Sequence, residues 1–173
     1  MSKYRMFVAL VANGLVGLGI HPANAALEPR MNGEAVYDTD RNITYLADAN
    51  YAMTNSFGVP MQLADGRFSY ANSLVYIAQL NASNHLGSNT WRLPTTLVPD
   101  PTCTQPDTAV GSNCSGSDLG HLFYTELSGI ANVGTTDPEL ALFSNIATGC
   151  CSKFYFSSTP YTPNLSLHYA FAF

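Results

Sequence analysis

Three residues that lie close together in the sequence have side chains that could act as general acids or bases: Asp118, His121 and Glu126. Carboxylates and imidazoles act as general acids and bases when a fold brings them within hydrogen-bond reach of a substrate. On a regular helix, however, His121 and Glu126 point in different directions. Spacing alone does not decide against a site assembled from these three dispersed residues. An exported enzyme of this kind is kept as the alternative hypothesis for this chain.

The sequence lacks the spacings of well-known catalytic and metal sites. It has no His-Glu-x-x-His zinc pattern, no Gly-x-Ser-x-Gly nucleophile elbow and no Gly-x-x-x-x-Gly-Lys phosphate loop. Asp38-x-Asp40-x-Asn42 begins like a calcium loop, but Ile43 stands where a glycine is needed and Ala49 where a bidentate glutamate is needed. A polar hairpin turn is the favoured interpretation. No catalytic residue, metal ligand or cofactor is expected.

Of the three possible pairings of the four cysteines, a disulfide between Cys103 and Cys114 is favoured. Cys103 and Cys114 bracket a loop of low structural propensity, and closing a loop of about that length removes unfolded-state entropy on the order of 3 kcal/mol. Cys150 and Cys151 are adjacent and either remain thiols or pair crosswise with the first two. A metal site built from cysteines and His121 is disfavoured because no Cys-x-x-Cys spacing occurs.

Aromatic residues offer another kind of chemistry, the stacking of a ring face on a sugar. The candidates for such binding are Tyr51, Phe57, Tyr161 and Tyr169. Packing within the core or a loop is the competing interpretation for each, because single surface aromatics are ordinary.

The segment Trp91-Arg92-Leu93-Pro94-Thr95 is interpreted as structural. Pro94 disfavours helix at the preceding residue and fixes an extended path. Trp91 carries a large apolar area, which we expect to be buried between the main helices and the sheet. Trp91, Arg92 and Pro94 are therefore expected to support the fold and not a reaction.

Several secondary-structure elements must position these residues. Residues 34–38 and 43–47 read as a β-hairpin around a turn rich in Asp and Asn. Ser69 begins a helix that extends to about residue 81, and its predicted buried stripe consists of Ala71, Leu74, Val75, Ile77 and Ala78. The stretches 48–66 and 96–116 read as irregular loops.

The second half of the chain continues the pattern of helices followed by strands. A helix capped by Ser117 is predicted over 118–127, ending before Gly129. Its predicted buried residues are Leu119, Leu122, Phe123 and Leu127. A short helix opens at Asp137-Pro138, and 154–158 and 166–173 read as aromatic-rich strands.

Residues 1–25 are predicted to be a signal peptide. Lys3 and Arg5 precede an apolar run over 6–20, and Ala23-Asn24-Ala25 has the small-x-small form of a cleavage site. The run is shorter than the roughly 20 residues that a membrane-spanning helix needs. A single mature domain of 26–173, with no membrane span, is therefore expected in the periplasm, at the cell surface or outside the cell.

The mature domain is acidic. The whole chain has 7 Lys and Arg against 12 Asp and Glu, and removal of Lys3 and Arg5 leaves 5 against 12, a net charge of −7 with histidine neutral. Affinity for nucleic acids and for sulfated polysaccharides comes largely from clusters of cations. Such polyanions are therefore not expected as partners.

Several motifs in this order carry a family resemblance: NITYLADANYA (42–52), WRLPT (91–95), GHLFY (120–124) and YFSST (155–159). Together they resemble the Lcl C-terminal-like domain family, named after the C-terminal region of a collagen-like bacterial adhesin. The resemblance covers nearly all of 26–173 and implies a compact α+β domain of C-type-lectin-like form, distantly similar to sulfatase-modifying-factor domains. Members of this family commonly continue into a further strand beyond the position of Phe173, so the resemblance implies either that this strand is missing here or that a partner chain supplies it.

An exported, non-catalytic binding or adhesion module is the function that these observations favour. A neutral glycan or a cell-surface protein is the expected class of partner. The oligomeric state does not follow from the sequence.

Overall fold

The computed structural model describes residues 27–62, 64–147 and 154–173, together with the backbone of residues 4–5 and 9–10. The strands in these parts are, in chain order, β1 (Tyr4–Arg5), β2 (Ala9–Leu10), β3 (Leu27–Arg30), β4 (Ala35–Asp38), β5 (Ile43–Leu46), β6 (Arg67–Phe68), β7 (Trp91–Arg92), β8 (Tyr155–Pro160) and β9 (His168–Phe171). The α-helices are α1 (Tyr51–Thr54), α2 (Tyr70–Ala82) and α3 (Asp118–His121).

The strands form two small sheets. The first has five strands in the order β3-β4-β5-β2-β7, and the second has four in the order β6-β1-β8-β9. Adjacent strands are antiparallel except for the contact between β1 and β8. The combination of helices with two small, mostly antiparallel sheets confirms the predicted α+β class.

The predicted first hairpin consists of β4 and β5, with Val36 opposite Tyr45 and Asp38 opposite Ile43. Its turn is closed by the side chain of Asp38, whose Oδ1 accepts a hydrogen bond from the Arg41 amide at 2.8 Å. All four residues of β5 are buried. The Asp- and Asn-rich sequence thus forms a hairpin turn that ties Asp38 in place.

Helix α2 begins as predicted, because the Ser69 hydroxyl accepts a hydrogen bond from the Asn72 amide at 3.2 Å. The predicted buried face is wrong. The buried residues are Ser73, Tyr76 and Leu80. Of the predicted stripe Ala71, Leu74, Val75, Ile77 and Ala78, only Ile77 is partly buried, while Leu74 and Val75 are 47% and 49% exposed.

The reason for the different face is the ring of Tyr76. It packs against Phe57 and Phe68, with ring centroids 5.7 and 5.2 Å away. Burying one large aromatic side chain removes more apolar surface from water than burying any single one of the smaller residues of the stripe. Ser73 is tolerated on this face because its hydroxyl donates to the Tyr70 carbonyl at 2.6 Å.

The helix predicted over 118–127 is α3 followed by a π-helix over Leu122–Glu126. Its predicted inward residues, Leu119, Leu122, Phe123 and Leu127, are all buried. Ser117 precedes the helix, but its hydroxyl accepts from the Leu97 amide at 3.1 Å and does not cap the helix. After the helix, a Cβ at Gly129 would lie 2.6 Å from the Phe123 ring, so only glycine fits there.

The remaining predicted elements are also present. The strands predicted over 154–158 and 166–173 are β8 and β9. The short helix predicted at Asp137 is a 3₁₀-helix over Pro138–Leu142, and the Asp137 carboxylate accepts from the Glu139 amide at 2.9 Å. The segment 96–116 is loop apart from one 3₁₀ turn over Pro106–Thr108.

Trp91 lies in the core between α2 and the sheets. It is 2% exposed and belongs to a cluster with Leu80 of α2 and Phe156 of β8. Its indole Nε1 donates to the His85 carbonyl at 3.0 Å. The side chain of Asn81 holds its backbone through two hydrogen bonds of 2.7 and 2.9 Å.

The predicted signal peptide falls largely outside the described residues. Its described backbone forms β1 and β2, and β2 lies between β5 and β7 in the five-stranded sheet. No helix among the described residues is long and apolar enough to cross a bilayer.

Replacing Trp91 by alanine is expected to lower the free energy of unfolding by about 3 to 5 kcal/mol, because the change removes buried apolar area and leaves a cavity. Urea unfolding of the variant measures this loss. Trp91→Phe, which keeps a ring, is the control and should lose less. A Trp91→Ala protein of unchanged stability would contradict a structural role.

A chain that lacks residues 1–25 is expected to show faster amide hydrogen exchange at 43–46 and 91–92 than the full chain, because β2 pairs with β5 and β7 there. Mass spectrometry compares the two forms. The β3 strand, which among the described strands pairs with β4 alone, is the internal reference. Equal exchange at both segments in the two forms would contradict the pairing of β2.

Candidate functional site

The π-helix brings His121 and Glu126 together. Its defining hydrogen bond runs from the Leu127 amide to the Leu122 carbonyl at 3.0 Å, five residues apart instead of four. Residues that are five positions apart then share a face, and His121 Nε2 lies 2.7 Å from Glu126 Oε1. The prediction that these two side chains point in different directions is therefore wrong.

Asp38 of the first hairpin completes the cluster. Its Oδ2 lies 3.9 Å from His121 Nε2, while its Oδ1 is held by the Arg41 amide. The Asp38 side chain is 0% exposed, that of Glu126 is 3% exposed and that of His121 is 15% exposed. We call these three residues the acid–histidine cluster.

The facing atoms of the acid–histidine cluster are short of partners. Asp38 Oδ2 is buried and has no hydrogen-bond partner, while His121 Nε2 and Glu126 Oε1 have only their own 2.7 Å contact. A buried polar atom without a partner costs free energy. The three atoms converge within 4.8 Å of one another.

Burial changes the acidity of both carboxyl groups. It is the largest cause that raises the pKa of Asp38 above its ordinary value of 3.8, and the Arg41 amide opposes the change. Burial also raises the pKa of Glu126 above its ordinary value of 4.5, and the negative charge of Asp38 adds to it. The fold thus disfavours two bare negative charges at this place.

Asp118 does not join the cluster, although the sequence groups it with His121 and Glu126. Its Oδ2 accepts from Arg92 Nη1 at 2.9 Å, and from the Thr95 amide and hydroxyl at 2.7 and 2.8 Å. Arg41 Nη2 lies 4.0 Å from the other oxygen. Asp118 therefore fastens α3 to the WRLPT segment and is not available as a general acid or base.

The WRLPT segment is also tied to β8. The Pro94 carbonyl accepts from the Ser158 amide at 2.8 Å. The Thr96 amide donates to the Thr159 hydroxyl at 2.9 Å, and that hydroxyl donates to the Thr96 carbonyl at 3.1 Å. These contacts place the extended segment after β7 along the strand.

A separate pocket of about 120 Å³ opens beside this segment. Its walls come from the WRLPT segment and the residue after it, the disulfide loop, the start of α3, and strands β8 and β9. The lining residues are Pro94, Thr95, Thr96, Ala109, Val110, Gly111, Cys114, Ser117, Leu119, Tyr155, Ser157, Tyr169, Ala170 and Phe171. None of the acid–histidine cluster lines this pocket.

The four aromatic binding candidates lie in two groups. Tyr161 and Tyr169 contact each other edge to face, with centroids 5.4 Å apart, and Tyr169 lines the pocket. Tyr51 stacks on His85, and Phe57 packs on Tyr76. Tyr169 is buried, and its hydroxyl donates to the Thr108 carbonyl at 2.6 Å.

The predicted disulfide joins Cys103 to Cys114, with an S–S distance of 2.13 Å. Asp100 lies close to both sulfur atoms, but bonded sulfurs are not thiolate ligands for a metal. The Asp100 carboxylate instead accepts from the Thr102 and Gly116 amides at 3.0 and 3.1 Å. Cys150 and Cys151 lie outside the described residues.

Asp38 and Glu126 could have been found from the sequence by one shared signal. Asp38 alternates with the buried Val36 in a predicted strand, and Glu126 falls on the stripe of Leu119 and Leu122 in a predicted helix. A charged residue on a face that is otherwise apolar needs a partner when it is buried.

No protein-family model, curated protein or solved structure significantly matches this chain.

Glu126→Gln is expected to flatten the dependence of stability on pH. Because the folded state binds these carboxyl protons more tightly, the stability that they contribute is present below their ordinary pKa values and is lost as pH rises through the folded values. Wild-type stability should therefore fall as pH rises above about 4 to 5, and the variant should lose less.

The free energy of unfolding in urea, measured from about pH 4 to pH 8, checks this slope. Glu34→Gln is the matched control, since Glu34 is exposed. A Glu126→Gln slope equal to that of the wild type and the control would show that Glu126 does not titrate as described.

Proposed function

We propose that this chain is an exported, non-catalytic binding module that recognises one end of a neutral ligand, a glycan being the best fit. The observation that carries the proposal is the pocket between the WRLPT segment and β9. It combines aromatic rings with threonine and serine residues, as sugar recognition requires a stacking surface beside hydrogen-bonding groups.

The size of the pocket limits what it can take. Sites that enclose a whole small molecule measure about 300–1,000 Å³. A pocket of about 120 Å³ accepts a single protruding group, such as the terminal part of a sugar chain. The remainder of the ligand would lie across the exposed loops around the opening.

The walls of the pocket are joined to one another by a disulfide and by hydrogen bonds. The disulfide closes the loop, Tyr169 fastens β9 to it through Thr108, and Thr159 joins β8 to Thr96. A preorganised site loses little conformational entropy when a ligand binds. No titratable side chain lines the pocket apart from the two tyrosines.

The location and the class of module rest on the sequence together with the disulfide. A buried disulfide and the absence of a membrane-crossing helix in the described residues are compatible with a protein outside the cytoplasm. The resemblance of 42–52 and 91–95 to Lcl C-terminal-like domains supports an adhesion role at a cell surface.

An exported enzyme is the second candidate, and the contact between His121 and Glu126 is the observation that favours it. Two features count against it. One oxygen of Asp118 accepts three hydrogen bonds from Arg92 and Thr95, and none of the acid–histidine cluster lines the pocket that a substrate would enter.

Val110→Trp is expected to abolish glycan binding, because a bulky ring at the pocket wall fills the space that the ligand needs. Neutral oligosaccharides on an array identify the ligand, and calorimetry then compares the variants. Val133→Trp, on an exposed loop outside the pocket, is the control and should bind like the wild type. Unchanged binding by Val110→Trp would place recognition elsewhere.

Binding is also expected to depend little on salt. Arg41 and Arg92 are paired with Asp118, and Arg67 Nε donates to Asp65 at 2.7 Å. These arginines therefore do not form a free basic patch, and Lys153 lies outside the described residues. Retention on a heparin column at physiological ionic strength, lost in high salt, would contradict a neutral ligand.

A further inference from the structure

We propose that Asp38, His121 and Glu126 bind one divalent transition-metal ion, with Zn²⁺ the best match. The site is separate from the ligand pocket and does not depend on the proposed binding function. It joins the first hairpin to the π-helix, two elements that are far apart in sequence.

The distances suit an ion after small movements. Zn²⁺ lies about 2.0 to 2.2 Å from imidazole nitrogen and carboxylate oxygen, so ligand atoms around it are roughly 3 to 3.6 Å apart. His121 Nε2 lies 2.7 Å from Glu126 Oε1 and 3.9 Å from Asp38 Oδ2. All three ligand atoms lie within 4.8 Å of one another, so side-chain shifts of about 1 Å convert this arrangement into a ligand set.

The unpartnered atoms point to a cation and not to a simple packing arrangement. Asp38 Oδ2, on a side chain that is 0% exposed, has no hydrogen-bond partner and faces the close contact between His121 Nε2 and Glu126 Oε1. Asp38 uses its other oxygen, Oδ1, to close the hairpin turn, and this leaves Oδ2 facing His121. An ion of charge +2 with a neutral imidazole would balance both carboxylates and satisfy all three atoms at once.

The neighbouring charges permit a cation here. Arg41 lies in the same turn as Asp38; its Nη2 donates to the Gly116 carbonyl at 2.6 Å and lies 4.0 Å from the Asp118 carboxylate, while its buried Nε has no hydrogen-bond partner. Asp40, exposed in the same turn, adds negative potential at both Asp38 and Glu126. The cluster is therefore surrounded by a local excess of negative charge.

The donor set selects the type of metal. Ca²⁺ prefers six to eight oxygen ligands and Mg²⁺ keeps most of its water, so a nitrogen and two carboxylates suit neither. Imidazole and carboxylate together suit zinc, which binds tightly among divalent ions. Three protein ligands leave a fourth position for water, and the partly exposed His121 side chain marks the side that solvent reaches.

The test is calorimetric titration of the full untagged chain with Zn²⁺ alone. One ion per chain is expected, together with a rise in melting temperature. Asp38→Asn and Glu126→Gln keep the side-chain shape but remove a ligand charge. Each should weaken binding by more than the roughly 10- to 100-fold that loss of an outer-shell partner costs.

His85→Gln is the matched control, because His85 stacks on Tyr51 away from the cluster and should leave the affinity unchanged. Circular dichroism confirms that each variant is folded. Absence of Zn²⁺ binding by the wild-type chain would overturn the proposal, as would equal affinities of the cluster variants and the control.

Co²⁺ absorption of the wild-type chain is a second measurement, and its result does not depend on whether a variant folds. Ligation by imidazole and carboxylates gives weak visible bands without thiolate charge transfer. A strong thiolate band would assign the ion to cysteines and overturn the site at Asp38, His121 and Glu126.

Discussion

Both candidate sites depend on the hydrogen bonds that the Asp118 carboxylate accepts. One oxygen accepts from Arg92 and twice from Thr95, so the start of α3 is fastened to the segment after β7. Loss of one partner from such a buried network leaves a desolvated charge, which costs more than the pair itself contributes. The anchor fixes the start of α3, the helix that ends at His121 and leads into the π-helix, and it holds Thr95 at the pocket wall.

Features with local causes were predictable from the sequence. Ser69 begins α2 because its hydroxyl reaches an amide three residues later, and Asp38 closes its turn in the same way. Cys103 and Cys114 pair across a loop whose sequence has low structural propensity. In each case the residues that cause the structure lie close together in the chain, so their spacing is enough to indicate it.

Features that depend on distant residues were missed. The buried face of α2 is set by Tyr76, whose ring meets Phe57 and Phe68 from other segments, so the apolar stripe at Leu74 and Val75 misleads. The π-helix has no spacing signature, since a regular helix separates His121 from Glu126. What the sequence does contain is an acidic residue on an apolar face, which indicates a buried partner without naming it.

Because β2 lies between β5 and β7, export directed by residues 1–25 would need the same residues that complete the sheet. The sequence predicts that 1–25 directs the chain across a membrane, yet Ala9 and Leu10 also pair within the sheet. A segment held by the export machinery cannot pair with β5 and β7 at the same time. The order of events would then decide the outcome. Early binding of residues 1–25 to the export machinery would keep the sheet incomplete during transport, and early pairing of β2 would make the export signal inaccessible.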